Sequence, residues 1–398
     1  MKYLTLLFIV GLSIQTLAQK PQTVHQLALK AESFEFYKTQ AELWKDQIDK
    51  DSSSEEAWYN YYKACRYARM MFNHSFPDEP AENWIQKSES FRDDNEIIPL
   101  MYDAIPESFA ANLLKYNESF FSGKVKDDRT KYLLKANEIN PDHPEIQDEM
   151  VLYYELKRDL AARKKQNIHW YELNVVNPGH LNYSYNLLNA IQEEEAIVLC
   201  QGDNDTYSLW AVQDVKDVKP HVHVLNIPLL LKSDYRQKIF NEVGIPGMGK
   251  DTLNFKTGGS SMMENQRMIF DHIMENIPEN IPVYVGLTVY KTLYDKYSDD
   301  LYLTGLAFKY SKEIIDEIAY LKNAYDNLFL TDYLKEHFYY HIDNKVGNVN
   351  YIPGLIKLYE HYYKAGDQAE MDRIKLLIKS ITKSDENWKK WYNETFND

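Results

Sequence analysis

The spacing of apolar residues changes character twice along this chain of 398 residues, and those two changes bound what it can fold into. From Gln22 to Gln192 apolar side chains recur at helical intervals with no sustained alternation. Trp58, Tyr61, Tyr62, Cys65, Ala68 and Phe72 form one stripe, and Ala41, Trp44 and Ile48 form another just before it, which predicts two neighbouring antiparallel helices. Asp51-Ser52-Ser53-Ser54 between them supplies N-cap candidates, with Glu55 and Glu56 placed to oppose the positive end of the next helix. Past Gln192 the runs Ala196–Cys200, Val222–Ile227 and Pro282–Leu287 alternate with helical stretches, one of them Met262–Asn276. Strands and helices that alternate in this way predict βαβ units and a parallel sheet. Helical spacing returns from Lys312, where Leu355, Leu358, Tyr359 and Tyr362, then Ala365-Gly366-Asp367, then Ile374, Leu377 and Ile378 describe a hairpin turning at glycine.

The helical parts carry a repeat-like layout. Tyr132, Leu133, Ala136 and Ile139 lead to the break Asn140-Pro141-Asp142-His143-Pro144, and Glu145-Ile146 opens the next helix. Ile168, Tyr171 and Val175 lead to Asn177-Pro178-Gly179-His180, with Pro178 standing 37 residues after Pro141. This resembles tetratricopeptide helical hairpins, whose period is about 34 residues. The small residues that bring helices close in such repeats are mostly replaced here by large aromatics. With 32 tyrosines in the chain, packing between hairpins is the expected use of these rings, and sugar stacking the alternative. The expected fold class is α+α/β: tetratricopeptide-like helical hairpins at 19–192 and 311–398 flanking a small Rossmann-like three-layer module with a short parallel sheet at 193–310.

Met1-Lys2, the apolar run Tyr3–Ile14 and the small-residue site ending at Ala18 read as a cleavable signal peptide, residues 1–18. Its apolar part is roughly a dozen residues, short of the ~20 that span a bilayer. No cysteine follows it, and no later stretch approaches membrane length. Loss of Lys2 makes the formal net charge of −15 one unit more negative, which repels phosphate backbones and argues against nucleic acid as a partner. Export places the protein in the periplasm or outside the cell. Cys65 and Cys200 are read as buried small hydrophobes, although an oxidising compartment would permit a bridge.

Gly202-Asp203-Asn204-Asp205-Thr206 is the leading site candidate, because it follows a buried strand at the end where α/β sheets place their ligands. Asp203 and Asp205 could hold a divalent cation through oxygens, while Asn204, Asn226 and Thr288 could bond substrate hydroxyls. The same residues could equally make a strand-to-helix turn, with Gly202 allowing the bend and Asp203 or Asp205 capping. Gly244-Ile245-Pro246-Gly247-Met248-Gly249-Lys250 has the skeleton of a phosphate-binding loop. It lacks the preceding strand and has Asp251 where Ser or Thr belongs, so a helix-ending turn is expected. His221 and His223 share a strand face with no third ligand nearby. Ser260, Ser261 and Glu264 look like a capping box. Common hydrolase motifs are absent, so no catalytic residue and no cofactor is expected beyond that cation.

Four blocks in order, Ala196–Trp210, Val222–Asn226, Ile281–Val285 and Leu303–Ala307, resemble the soluble exported domain of a bacterial multi-spanning membrane family related to protein O-mannosyltransferases. The glycosyl-transfer centre of such relatives is expected in their membrane part. The resemblance therefore implies a shared accessory module and carries over no catalytic centre. Ile281 stands where the relatives tend to have arginine, which weakens any anion-binding role at that strand. The resulting expectation is an exported, non-enzymatic scaffold or binding protein of the bacterial cell envelope. Its repeats would engage a protein or peptide partner, as an accessory to envelope glycosylation or secretion. The alternative is a cation-dependent glycan-binding or glycan-processing protein built on the Gly202–Thr206 turn.

Overall fold

The computed structural model describes residues 20–27, 30–76, 90–121, 129–249, 253, 259–336 and 348–396. The signal-like start, Lys250 and Asp251, and the side chains of Ser260 and Ser261 lie outside the described residues. The chain divides into two compact units at Ala136/Asn137, earlier than the change of apolar spacing at Gln192.

In the first unit α1 (Phe34–Lys50) and α2 (Glu55–Ser75) are joined by four residues and pack along their length. Ser33 and Ser54 cap them, accepting from the Phe36 and Ala57 amides at 3.2 Å. The two stripes read from the sequence are the buried faces, from Ala41, Trp44 and Ile48 to Trp58, Tyr61 and Cys65. A segment before α1 is strapped to them: Gln22 N–H donates to buried Gln40 at 2.6 Å, and Val24 N–H to buried Asn60 at 2.7 Å. Helices α3 (Asp94–Ala104) and α4 (Phe109–Phe121) follow. Glu55 accepts from the Ala110 amide at 2.7 Å, tying α2 to the start of α4. Helix α5 (Thr130–Ile139) runs across the division.

The second unit holds α6 (Pro144–Lys157), α7 (Leu160–Glu172) and α8 (Pro178–Ala190), each opened by a polar cap, His143, Asp159 and Asn177 respectively. Strand β1 (Ala196–Cys200) leads into α9 (Asp203–Lys216), β2 (Val222–Asn226), α10 (Ser233–Glu242), α11 (Gly259–Asn276), β3 (Val283–Gly286), β4 (Leu301–Leu303) and β5 (Ala307–Tyr310). The sheet order is β2-β1-β3-β5-β4. β1 pairs in parallel with β2, Ala196 opposite Val222, and with β3, Ile197 opposite Val283. The sheet is mixed, however, and the expected short parallel sheet accounts only for three of its strands. β5 runs antiparallel to β3 and to β4. The physical reason is loop length: Thr304-Gly305-Leu306 is too short for a crossover, so the chain doubles back. Gly305 makes that turn at φ +145°, a conformation that suits glycine.

Helix α10 ends where the phosphate-loop lookalike begins. Gly244 lies at φ +73° and the Ile245 amide returns to Phe240 O at 2.8 Å, so the described part is a helix-ending turn. The C-terminal hairpin is α13 (Ile352–Ala365) and α14 (Gln368–Thr382), preceded by the short α12 (Glu317–Asn323) and followed by α15 (Glu386–Phe396). Gly366 ends α13 at φ +71° and Asp367 caps α14, as their spacing predicts. Cys65 and Cys200 are both buried free thiols.

A buried ionic network fastens α6 and α7 to the sheet region. Fully buried Glu155 accepts from Arg163 Nη1 at 2.5 Å and from the Tyr235 hydroxyl at 2.7 Å, and also pairs with Arg158. Arg163 in turn grips Asp214 of α9 through Nε at 3.0 Å and Nη2 at 3.1 Å, with its guanidinium over the Trp210 ring. Removing one member leaves the others charged and dry. Glu155→Ala is expected to cost about 3–5 kcal/mol, read as a lower urea midpoint at unchanged slope; a loss below about 1 kcal/mol would show that the network does not hold these helices.

Candidate functional site

Every residue of β1 is fully buried, so the chain can leave the sheet only through a turn at its carboxyl end. Gly202 supplies that turn as N-cap of α9. Asp205, three residues on, reaches back so that its Oδ1 accepts from the Gly202 amide at 2.9 Å. Its Oδ2 accepts from the Thr288 hydroxyl, which lies just past β3. The capping geometry read from the sequence is thus present, with Asp205 as the capping residue, and Asp205 also joins the ends of β1 and β3.

Asn226, the last residue of β2, is fully buried. Its amide donates to Thr206 Oγ1 at 3.0 Å and Gly202 O at 3.3 Å, while its Oδ1 accepts from the Leu229 amide at 3.0 Å. Asn226 therefore shapes the turn from behind. Asp203 is exposed, and its carboxylate takes a hydrogen bond from Tyr207. Two residues apart on a helix, Asp203 and Asp205 point in nearly opposite directions. The structure does not bring them together, and among the described residues no group of three or more His, Cys, Asp or Glu is placed to hold a metal ion. His223 is half-buried and its pKa is lowered by burial.

The turn nevertheless opens onto a cavity of ≈ 310 Å³. Asp205, Asn204 and Thr288 line it, together with residues that sequence reasoning did not single out as site residues: His180 and Tyr183 of α8, and Gln201. Tyr290 and Asn350 complete the wall. Gln201 is 9% exposed; its Nε2 donates to Gln266 at 2.9 Å, but its Oε1 is buried without a partner. His180 Nε2 is likewise buried and unpartnered. The Tyr183 hydroxyl is a third such atom, and all three are shut off from solvent, in the packing behind the cavity wall. Burial pushes the Asp205 carboxyl above its usual range, opposed by the bonds from Thr288 and Gly202. Burial also lowers the His180 imidazole, which stays neutral at neutral pH.

The fold and this cavity define a mixed α/β unit with a polar pocket at the carboxyl ends of its parallel strands. A family described as TMEM260-associated domain 2 matches residues 180–241, from His180 through β1, α9 and β2 into α10. The match takes in His180, Tyr183, Gln201 and the Gly202–Asp205 turn, and stops short of Thr288, Tyr290 and Asn350. It is loosely compatible with the resemblance to the O-mannosyltransferase-related family over the first two of that resemblance's four blocks. No curated protein matches the chain.

The two aspartates should separate in a stability measurement. Asp205→Ala removes a cap and orphans Thr288, an expected loss of about 1–3 kcal/mol, whereas Asp203→Ala loses a helix-dipole term and the bond from Tyr207 at an exposed position, together about 0.3–1 kcal/mol. Equal losses by denaturant titration would contradict the division of roles. For His180 the folded pKa lies below that of the unfolded chain, about 6.5. Its contribution is complete above that pH and is lost as pH falls toward the folded value. His180→Asn should therefore flatten part of the stability loss below about pH 6.5; parallel curves would refute it.

Proposed function

We propose that this chain is an exported binding protein of the bacterial cell envelope whose α/β unit holds a small polar ligand at the Gln201–Asp205 turn. The single observation that carries this reading is the cavity there, lined by the polar residues His180, Gln201, Asn204, Asp205 and Thr288. Such convergence of a few polar groups at the carboxyl ends of parallel strands is the usual setting of a ligand site. The residues proposed to bind are Asn204, Asp205 and Thr288 with His180 and Gln201, while Asn226 and Asp203 support the turn. A glycan is the ligand that fits an envelope role, and any catalytic use of the site would need groups beyond these.

Helical hairpins, read as tetratricopeptide-like, would give the same protein a scaffold surface for an envelope protein or peptide. That part of the reading is supported by Tyr363 and Leu376 of the C-terminal hairpin, each 67% exposed. The module would then serve as an accessory to envelope glycosylation or secretion. Neither a nucleic-acid partner nor a membrane span is part of the proposal; among the described residues no helix is long and apolar enough to cross a membrane.

The test is a thermal-shift panel on the chain with monosaccharides, sugar phosphates, amino acids and dicarboxylates. At least one class should raise the melting temperature of the wild type and not of His180→Asn/Gln201→Leu. A panel in which no compound shifts the wild type overturns the pocket reading.

A further inference from the structure

In the first unit, residues 21–26 run ahead of α1 in neither helix nor strand and lie against the α1–α2 hairpin. Gln22 N–H donates to Gln40 Oε1 at 2.6 Å, Gln22 O accepts from the Trp44 indole at 2.9 Å, and Val24 N–H donates to Asn60 Oδ1 at 2.7 Å. Backbone groups two residues apart that point the same way mark an extended chain. The three side chains that meet them are buried, Gln40 and Trp44 one turn apart on α1 and Asn60 on α2. A hairpin closed only by its own packing would carry apolar residues there, because a buried amide or indole left unpaired is costly.

What these side chains read is backbone, which every residue type but proline presents in full. The side chains at 22, 23 and 25 are exposed. Of residues 20–27 only Val24 is buried, fully so, and Leu27 is half-buried against the same core. One aliphatic anchor and a row of main-chain bonds is how extended peptides are recognised: the bonds hold, and the pocket selects. The segment is joined to α1 through residues 28–33, and a short tether of this kind gives an effective concentration on the order of millimolar. A free peptide of the same sequence therefore enters only when the tethered one lets go.

We propose that the α1–α2 hairpin is a docking site for an extended peptide segment of a partner protein, with an aliphatic side chain in the Val24 pocket, and that residues 21–25 are its built-in occupant. Gln40, Trp44 and Asn60 take the partner's backbone as they take that of Gln22 and Val24. The proposal rests on the scaffold reading above and names the partner's chemistry.

Fluorescence anisotropy with a labelled peptide of residues 20–27 tests it. Val24→Asp in the full chain puts a carboxylate into the anchor pocket and releases the tethered segment. That variant is expected to bind the wild-type peptide at least about tenfold more tightly than the unaltered chain does. Adding Asn60→Leu should weaken that binding about tenfold or more, as should methylation of the peptide's Val24 nitrogen. Replacing Gln22, Thr23 and His25 of the peptide together by alanine should change its Kd less than about threefold. Val24→Ala releases the segment more gently, serves where Val24→Asp loses the hairpin, and should give an intermediate Kd. Failure of the peptide to bind a released chain that keeps its helical circular dichroism overturns the proposal, and so does binding that survives methylation but not the alanine replacements. The scaffold reading outlives that failure if Tyr363→Ser/Leu376→Ser, on the C-terminal hairpin, releases an envelope protein that the unaltered chain retains; if it does not, both fall.

Discussion

The rest of the second unit is organised by the complete burial of β1. A strand with every residue at 0% exposure has no edge and no face left for water. It must therefore be paired on both sides, here by β2 and β3 in parallel register, with both faces packed over. Parallel pairing dictates long returns, which supply α9, α10 and α11. It also brings the carboxyl ends of β1, β2 and β3 together, so the chain's exits from three strands converge at one place. Gly202, Asn226 and Thr288 meet there because the register allows nothing else.

That convergence costs polar bookkeeping, and the protein meets it with neutral groups where it can. Asn226 joins the β1 and β2 exits through two hydrogen bonds, and Asp205 joins those of β1 and β3. Elsewhere in the unit the solution is ionic: Glu155, Arg163 and Asp214 are buried as an interlocked set that also takes in Tyr235 and Asn167. In that network Glu155 and Asp214 face arginine, while buried Arg236 nearby is satisfied by the Leu230 and Leu231 carbonyls. At the strand ends Gln201 Oε1 and His180 Nε2 have no partner among the described residues, and within the network the same is true of Asn167 Oδ1.

Much of the fold was legible because it is local. Helix stripes such as Trp58-Tyr61-Tyr62-Cys65, the caps at Ser54 and Asp367, and the turn at Gly366 depend on neighbours within a few residues, and periodicity reports them. The runs that became β1, β2 and β3 were readable from their continuous apolar character. The direction of β5 was not, since three- and four-residue strands carry no mark of their partner and only the brevity of the 304–306 loop makes them antiparallel. The candidate site was half legible. Gly202–Asp205 and Thr288 were singled out by position relative to the strands. His180 carries a local signal only as the end of a turn, and Gln201, Tyr290 and Asn350 carry none.

What the sequence by itself determined is which segments are helix and strand, where they start and stop, and that the turn after Ala196–Cys200 is rich in caps and ligand-like groups, because those properties follow from spacing and side-chain chemistry. Only the tertiary structure decided that Asp203 and Asp205 diverge, that Thr288 spends its hydroxyl on Asp205, and that His180, Gln201, Tyr290 and Asn350 surround one cavity. Those residues are separated by up to 170 positions, from His180 to Asn350. Their meeting depends on strand register and helix packing, which no local pattern encodes.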